Sequence, residues 1–163
     1  MTHRVLLMSC MRNEGASVLE WFAYHRVIGV DHFLVYTNDC EDGTDLIWRH
    51  LQSRGLATHR KNKANGPFRR AKPQTRALIR AMDDPVHADA EWVAFIDVDE
   101  FVNIHAGAGQ VGDLLAANQH SDCILLNWRL FGCSGRVRGE PGLVTEQRWP
   151  ATRIGRRRHS PCR

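Results

Sequence analysis

At 163 residues the chain is about one domain's worth, long enough to bury a real core, and 43% hydrophobic with 25% charged residues is a globular balance rather than that of a disordered tail. The net charge of +4 points to nucleic acid only until it is localised: residues 147–163 hold six Arg and no acid, leaving 16 basic against 18 acidic residues in the rest, so no DNA partner is expected. Five Cys, at 10, 40, 123, 133 and 162, are odd in number and form no C-x-x-C pair, which argues against a disulfide framework and a structural zinc site and for a reduced, cytoplasmic setting.

Strand and helix patterns alternate along the chain. Arg4 to Cys10 reads as a buried strand, whose apolar run Val5 to Met8 is too short for a signal core or a membrane span. Ala16 to Ile28 follows as an amphipathic helix, with Val18, Leu19, Phe22, Ala23, Val27 and Ile28 on its apolar face and Gly29 placed to end it. His32 to Thr37 is a second strand, and the polar loop N-D-C-E-D-G-T leads into a helix from about Asp45 to Ser53, closed by Gly55. A short strand near Ala57 to Arg60 precedes a long polar segment, then a helix from about Gln74 to Met82 with Pro73 near its start. After an acid-tipped strand beginning at Trp92 come a helix around Val111 to Asn118 and a further strand, Cys123 to Leu130. This order predicts an α/β fold, a mainly parallel sheet with helices on both faces, and such sheets bind ligands beyond the C-terminal ends of their strands.

The segment W-V-A-F-I-D-V-D-E-F is the most informative in the chain. Five apolar residues predict a strand buried on both faces, and three carboxylates, Asp97, Asp99 and Glu100, then arrive at its end. On an extended segment Asp97 and Asp99 point the same way and share one cation, and oxygen-only ligands suit Mg²⁺ or Mn²⁺. The bland alternative is a polar turn, but no Gly, Pro or Asn follows at once, and Phe101 and Val102 continue the apolar pattern. The loops after strands one and two, carrying Arg12, Asn13, Glu14, Asn38 and Asp39, are expected to meet Asp97 and Asp99 on one rim.

M-R-N-E-G-A, N-D-C-E-D-G-T and W-V-A-F-I-D-V-D-E-F, in this order and spacing, resemble the nucleotide-sugar-binding half of a GT-A glycosyltransferase of the family 2 and family 92 kind. The likeness runs from about Val5 to Glu146 and includes P-Q-T-R-A-L and N-W-R-L-F-G-C-S-G. It implies a GT-A, Rossmann-like fold over residues 1–146, incomplete at its C-terminal end, and transfer of a sugar from a nucleoside-diphosphate donor to an acceptor hydroxyl of a glycan, lipid or protein. It also implies that Arg12, Asn13 and Glu14 sit beside the nucleotide, that Asp39, next to Asn38, holds the base or ribose, and that Gln74 lies near the donor. Asp97 and Asp99 match the D-x-D pair that holds Mn²⁺ or Mg²⁺ on the donor diphosphate. Local alternatives stand beside two of these roles: Glu14 charging the first turn of a helix, and Asp39 forming an Asx-turn.

Arg60, Lys61, Lys63, Arg69, Arg70, Lys72, Arg76 and Arg80 form a basic set with no acid among them, suited to a diphosphate or an anionic acceptor, although such runs are usually solvated faces. No residue stands out as the catalytic base; Glu146 and His159 are the polar candidates late in the chain. The tail 147–163, with two Pro and three consecutive Arg, reads as disordered or foreign to the fold, and it admits peripheral contact with the inner face of a membrane. Trp21, Trp48 and Trp92 are expected in the core, Trp128 near the cleft, and H-A-G-A-G at 105–109 is a weak phosphate cradle. The competing readings are a truncated donor-binding remnant without transferase activity and a basic nucleic-acid-binding module. A haloacid dehalogenase type of phosphatase fits less well, because its D-x-D belongs on the first strand.

Overall fold

The structure, a computed structural model, describes residues 5–131 and 142–147. Contacts divide the chain after Gln119 into two compact units. The first is built as β1 (Val5–Met11), α1 (Gly15–Val27), β2 (His32–Thr37), α2 (Thr44–Ser53), β3 (Thr58–Lys61), α3 (Pro73–Met82), α4 (Pro85–Ala88), β4 (Trp92–Phe95) and α5 (Val111–Ala117), with a 3-10 turn at Gly66–Phe68. The four strands form one parallel sheet in the order β3-β2-β1-β4.

Alternation along β1 and β2 sends side chains to two helical layers. Leu6, Met8, Leu34 and Tyr36 pack against Ala77 and Ala81 of α3, where small residues let the helix lie close to the sheet. On the other face Phe33 meets Trp21 and Phe22 of α1 and Trp48 of α2, and the Trp48 indole N–H donates to Met11 Sδ at 3.3 Å. Helices therefore cover both faces, as the alternating pattern predicts. Trp21 and Trp48 are core residues, as expected.

Three expectations are corrected. The buried stripe of α1 is Val18, Trp21 and His25, while Leu19 and Val27 are exposed. Apolarity alone misplaced the face, because the indole and imidazole carry polar atoms that find partners inside. β4 is not buried on both faces. It is the terminal strand of the sheet among the described residues, and Val93 is 44% exposed. In the second unit, residues 123–130 form no strand: Leu125 is 89% and Trp128 81% exposed, since strand composition becomes a strand only beside a hydrogen-bonding partner. That unit contains the short helix α6 (Val144–Gln147), with Glu146 exposed. The tail from Arg148 onward, with His159, and Cys133 lie outside the described residues. No helix among the described residues is long and apolar enough to cross a membrane.

Candidate functional site

In the order β3-β2-β1-β4 the chain reverses direction of winding between β1 and β4, and a crevice opens beyond the C-terminal ends of such a pair. The loop after β1 and the segment after β4 carry the predicted site residues to that point. α1 begins at Gly15, and its last turn ends where Gly29, at φ +100°, supplies a left-handed residue. Arg12 and Asn13 stand exposed at the end of β1, with Glu14 as the residue before the helix.

The loop after β2 is tied to the loop after β1. Asn13 Oδ1 accepts from Glu41 N–H at 2.9 Å, Thr44 Oγ1 accepts from Glu14 N–H at 2.8 Å, and Asp42 Oδ2 accepts from Gly15 N–H at 2.8 Å. A Cβ at Gly15 would lie 3.1 Å from that same carboxylate oxygen, so glycine allows the approach. Among the described residues Asn13 and Asp39 are the non-glycine residues with positive φ, +57° and +39°, at the ends of neighbouring strands. A left-handed non-glycine residue costs about 1–2 kcal/mol, and such strain gathers at functional rims. Asp39→Gly is therefore expected to raise the free energy of unfolding by up to about 1 kcal/mol, the larger chain entropy of glycine offsetting part of the relief. Urea denaturation followed by circular dichroism checks this.

The acidic segment differs from its expected shape. β4 ends at Phe95, and Asp97–Glu100 is a turn rather than extended strand: Glu100 N–H returns to the Asp97 carbonyl at 3.1 Å, and Glu100 Oε2 accepts from Asp97 N–H at 3.0 Å. Glu100 is thus engaged in shaping the turn. Gln74, in the first turn of α3, donates its amide to both Asp97 oxygens at 3.0 and 3.2 Å, and Asp99 is exposed. The carboxyl of Glu14 is pushed above its ordinary value by burial, and then by the negative charges of Asp99, Asp42 and Asp97. Asp42 itself is held below the usual carboxylate range by hydrogen bonds from the Thr44 hydroxyl and from the Gly15 and Thr44 amides. Four acids from three distant segments therefore share one electrostatic neighbourhood. Asp42 was not foreseen, although D-G-T before a helix is the signal that marks it.

A second part of the rim lies between β2 and β3, where Thr37, Asp39, Cys40, Asp45, Lys61, Asn62 and Lys63 line a cleft. Asn38 is drawn beneath it: its side chain donates to Cys10 Sγ at 3.0 Å, and its Oδ1 accepts from Asn62 Nδ2 at 2.9 Å and from Arg76. The basic set separates by function. Arg76 is buried, Arg80 donates to Asn62 and Asn65, Arg60 pairs with Asp84 at 2.9 Å, and Lys61, Lys63, Arg69, Arg70 and Lys72 remain exposed. Within the H-A-G-A-G loop, Ala108 N–H donates to Asp113 Oδ2 at 2.8 Å and Gly109 N–H to Ala106 O at 2.9 Å, so these two amides are not open to a phosphate. Among the described residues no three acidic, His or Cys side chains enclose a metal ion by themselves.

A model of glycosyltransferase family 92 matches residues 8–135. The chain belongs to that family. It is 31% identical over 107 residues to a glycosyltransferase family 92 protein of Ricinus communis, an overlap covering 64% of this chain and 18% of that protein. Similar relatives occur in Oryza sativa subsp. japonica, 26% identical over 103 residues, and in Arabidopsis thaliana, 24% identical over 101 residues, each match covering 16% of the relative and 62% and 61% of this chain. This family 92 chain thus spans less than a fifth of the length of the curated relatives it matches. No solved structure matches it. The family match extends across both loops, the acidic turn and the strands that place them.

Proposed function

We propose that this chain binds the donor of a glycosyl transfer, a nucleoside-diphosphate sugar, at the crevice between β1 and β4, in a fold of the GT-A kind. The observation that carries the reading is the gathering of Glu14, Asp42, Asp97 and Asp99, where burial and then the charges of the other three raise the proton affinity of Glu14. Such a cluster is costly without a positive partner. Its oxygen donors fit Mn²⁺ or Mg²⁺, and because the side chains do not close a cage, phosphate oxygens would complete the shell. Asp97 and Asp99 would hold the cation, which when bound supplies positive charge to the departing diphosphate.

The chain's own groups do the remaining work. Gln74 fixes the Asp97 carboxylate by occupying both its oxygens. Asp39 stands in the cleft with Lys61 and Lys63, placed to accept from a ribose hydroxyl while the lysines face anionic oxygens. Arg12, Asn13 and Glu14 lie on the loop after β1, which hydrogen bonds tie to the loop after β2. The Asp39→Gly substitution that relieves backbone strain is expected to weaken nucleotide binding, the opposite sign to its effect on stability. The acceptor is a hydroxyl of a glycan, lipid or protein.

Calorimetric titration with a panel of nucleotide sugars, with and without Mn²⁺, tests the proposal. One nucleotide class is expected to bind in a Mn²⁺-dependent manner, with affinity falling at least about tenfold in Asp99→Ala, the effect of losing a charged ligand. Binding indifferent to both metal and Asp99 would overturn it.

A further inference from the structure

The acidic turn is held from behind by one face of α1. Trp21, Tyr24 and His25 occupy positions i, i+3 and i+4, a spacing that stacks them on one side of the helix. The fully buried Trp21 indole N–H donates to two carbonyls at once, Asp97 O at 3.1 Å and Glu100 O at 3.0 Å, the first and last residues of the turn. The Tyr24 hydroxyl donates to Val102 O at 3.0 Å. His25 Nδ1 lies 2.8 Å from Trp21 O, which can only accept, so the proton sits on Nδ1 and Nε2 is free to accept from Val102 N–H at 3.4 Å. The Phe101 ring stacks on His25 and meets Tyr24 edge-on.

These contacts fasten the backbone on both sides of Val98-Asp99, where Asp97 and Asp99 stand within electrostatic reach of Glu14. A turn free to move would relax by spreading its charges, and a cation would then have to gather them again at a cost in affinity. We propose that Trp21, Tyr24 and His25 are positioning residues that pre-organise Asp97 and Asp99 for a divalent cation, so that removing a single donor weakens metal binding without removing a ligand. The inference rests on the reading of Asp97 and Asp99 as cation ligands. It assigns to the face of α1 a task beyond filling the core.

The test needs variants that keep shape and lose one proton donor. Tyr24→Phe does this, and so does replacement of Trp21 by 3-benzothienylalanine, in which sulfur stands where the ring N–H was. Mn²⁺ alone is the probe, its free concentration read by electron paramagnetic resonance, with amide hydrogen exchange over residues 97–102 read in the metal-free protein. Each variant is expected to weaken Mn²⁺ binding about fivefold, the factor one lost hydrogen bond is worth, and to speed exchange in 97–102 relative to β1 and β2. Wild-type Mn²⁺ affinity in both variants, whatever the exchange, would overturn the proposal and leave the triad as packing. Where the wild type takes up Mn²⁺ only with a nucleoside diphosphate present, the comparison is made in its presence; a wild-type protein that binds no Mn²⁺ under either condition, or binds it equally well after Asp99→Ala, would instead overturn the underlying reading of the site.

Discussion

Arg76→Met is expected to lower the free energy of unfolding by about 3 kcal/mol, because it removes several charge-assisted hydrogen bonds at a buried position. The Arg76 side chain, 5% exposed, donates from Nε to Asn62 Oδ1 at 3.1 Å, from Nη1 to Ala71 O at 3.1 Å, and from Nη2 to Asn62 O at 3.0 Å and Asn38 Oδ1 at 3.4 Å. All these partners are neutral, so the guanidinium keeps its full positive field beneath a rim that carries acids. Methionine fills a similar length but leaves the Ala71 and Asn62 carbonyls with fewer donors, while Arg80 Nη1 still serves Asn62 Oδ1 at 3.1 Å. Arg76→Lys is expected to recover little, since a point charge cannot span acceptors set around a planar fork. Urea unfolding of the three proteins measures the effect; a loss below about 1 kcal/mol for Arg76→Met, the worth of a single ordinary hydrogen bond, would contradict this account of the network.

The second large effect is acid lability centred on His25. Burial among Trp21, Tyr24 and Phe101 pushes its imidazole down to about 4, from an ordinary value of 6.5, against the opposing pull of the Trp21 carbonyl. Between those two values the unfolded chain takes up a proton that the folded chain refuses. The stability is therefore complete above about pH 6.5, falls as the pH drops through that window, and levels out below about 4, for a total of about 3 kcal/mol. By about pH 5 some 2 kcal/mol is expected to be gone. Glu14 works in the opposite sense: with its folded value raised, protonation favours the folded state, so its contribution is present below its unfolded value and is lost as the pH rises through the folded one. His25→Gln separates the two, because an amide oxygen can accept from Val102 N–H without titrating and Glu14 is untouched. The gap between denaturation curves at about pH 7.5 and 5 is expected to be about 2 kcal/mol smaller for the variant than for the wild type, what remains belonging to groups such as Glu14 and to His59, whose imidazole is also pushed down by burial.

Much of the sheet was legible because its signals are local. β2 falls at His32–Thr37 as the apolar run predicts, α1 and α2 end before Gly29 and Gly55, and Pro73 opens α3. The polar clusters after β1, β2 and β4 converge because parallel strands all release their C-terminal ends on the same side. What escaped depended on partners distant in sequence. The bend at Asp97–Glu100 is made by the Glu100 carboxylate and the Trp21 indole, and no pattern of apolar residues encodes either bond. Trp21 reads as a core residue, and it is, but its indole N–H faces the turn. Helix α4 was missed despite a legible start: Asp84 caps it through Val86 N–H, ahead of Pro85. For residues 123–130 composition spoke for a strand, and no neighbour among the described residues makes it one.

The way the sheet is threaded has a kinetic consequence. None of its pairings is a hairpin; β1 waits for β4 while two crossovers, the basic loop and α3 pass by, and Val5 ends up beside Trp92. Loop closure of that span must be met before the contact returns anything, which makes the β1–β4 pairing the slow step of assembly. The two lips of the crevice are consequently strangers until the molecule is nearly finished, and the acids they carry meet last.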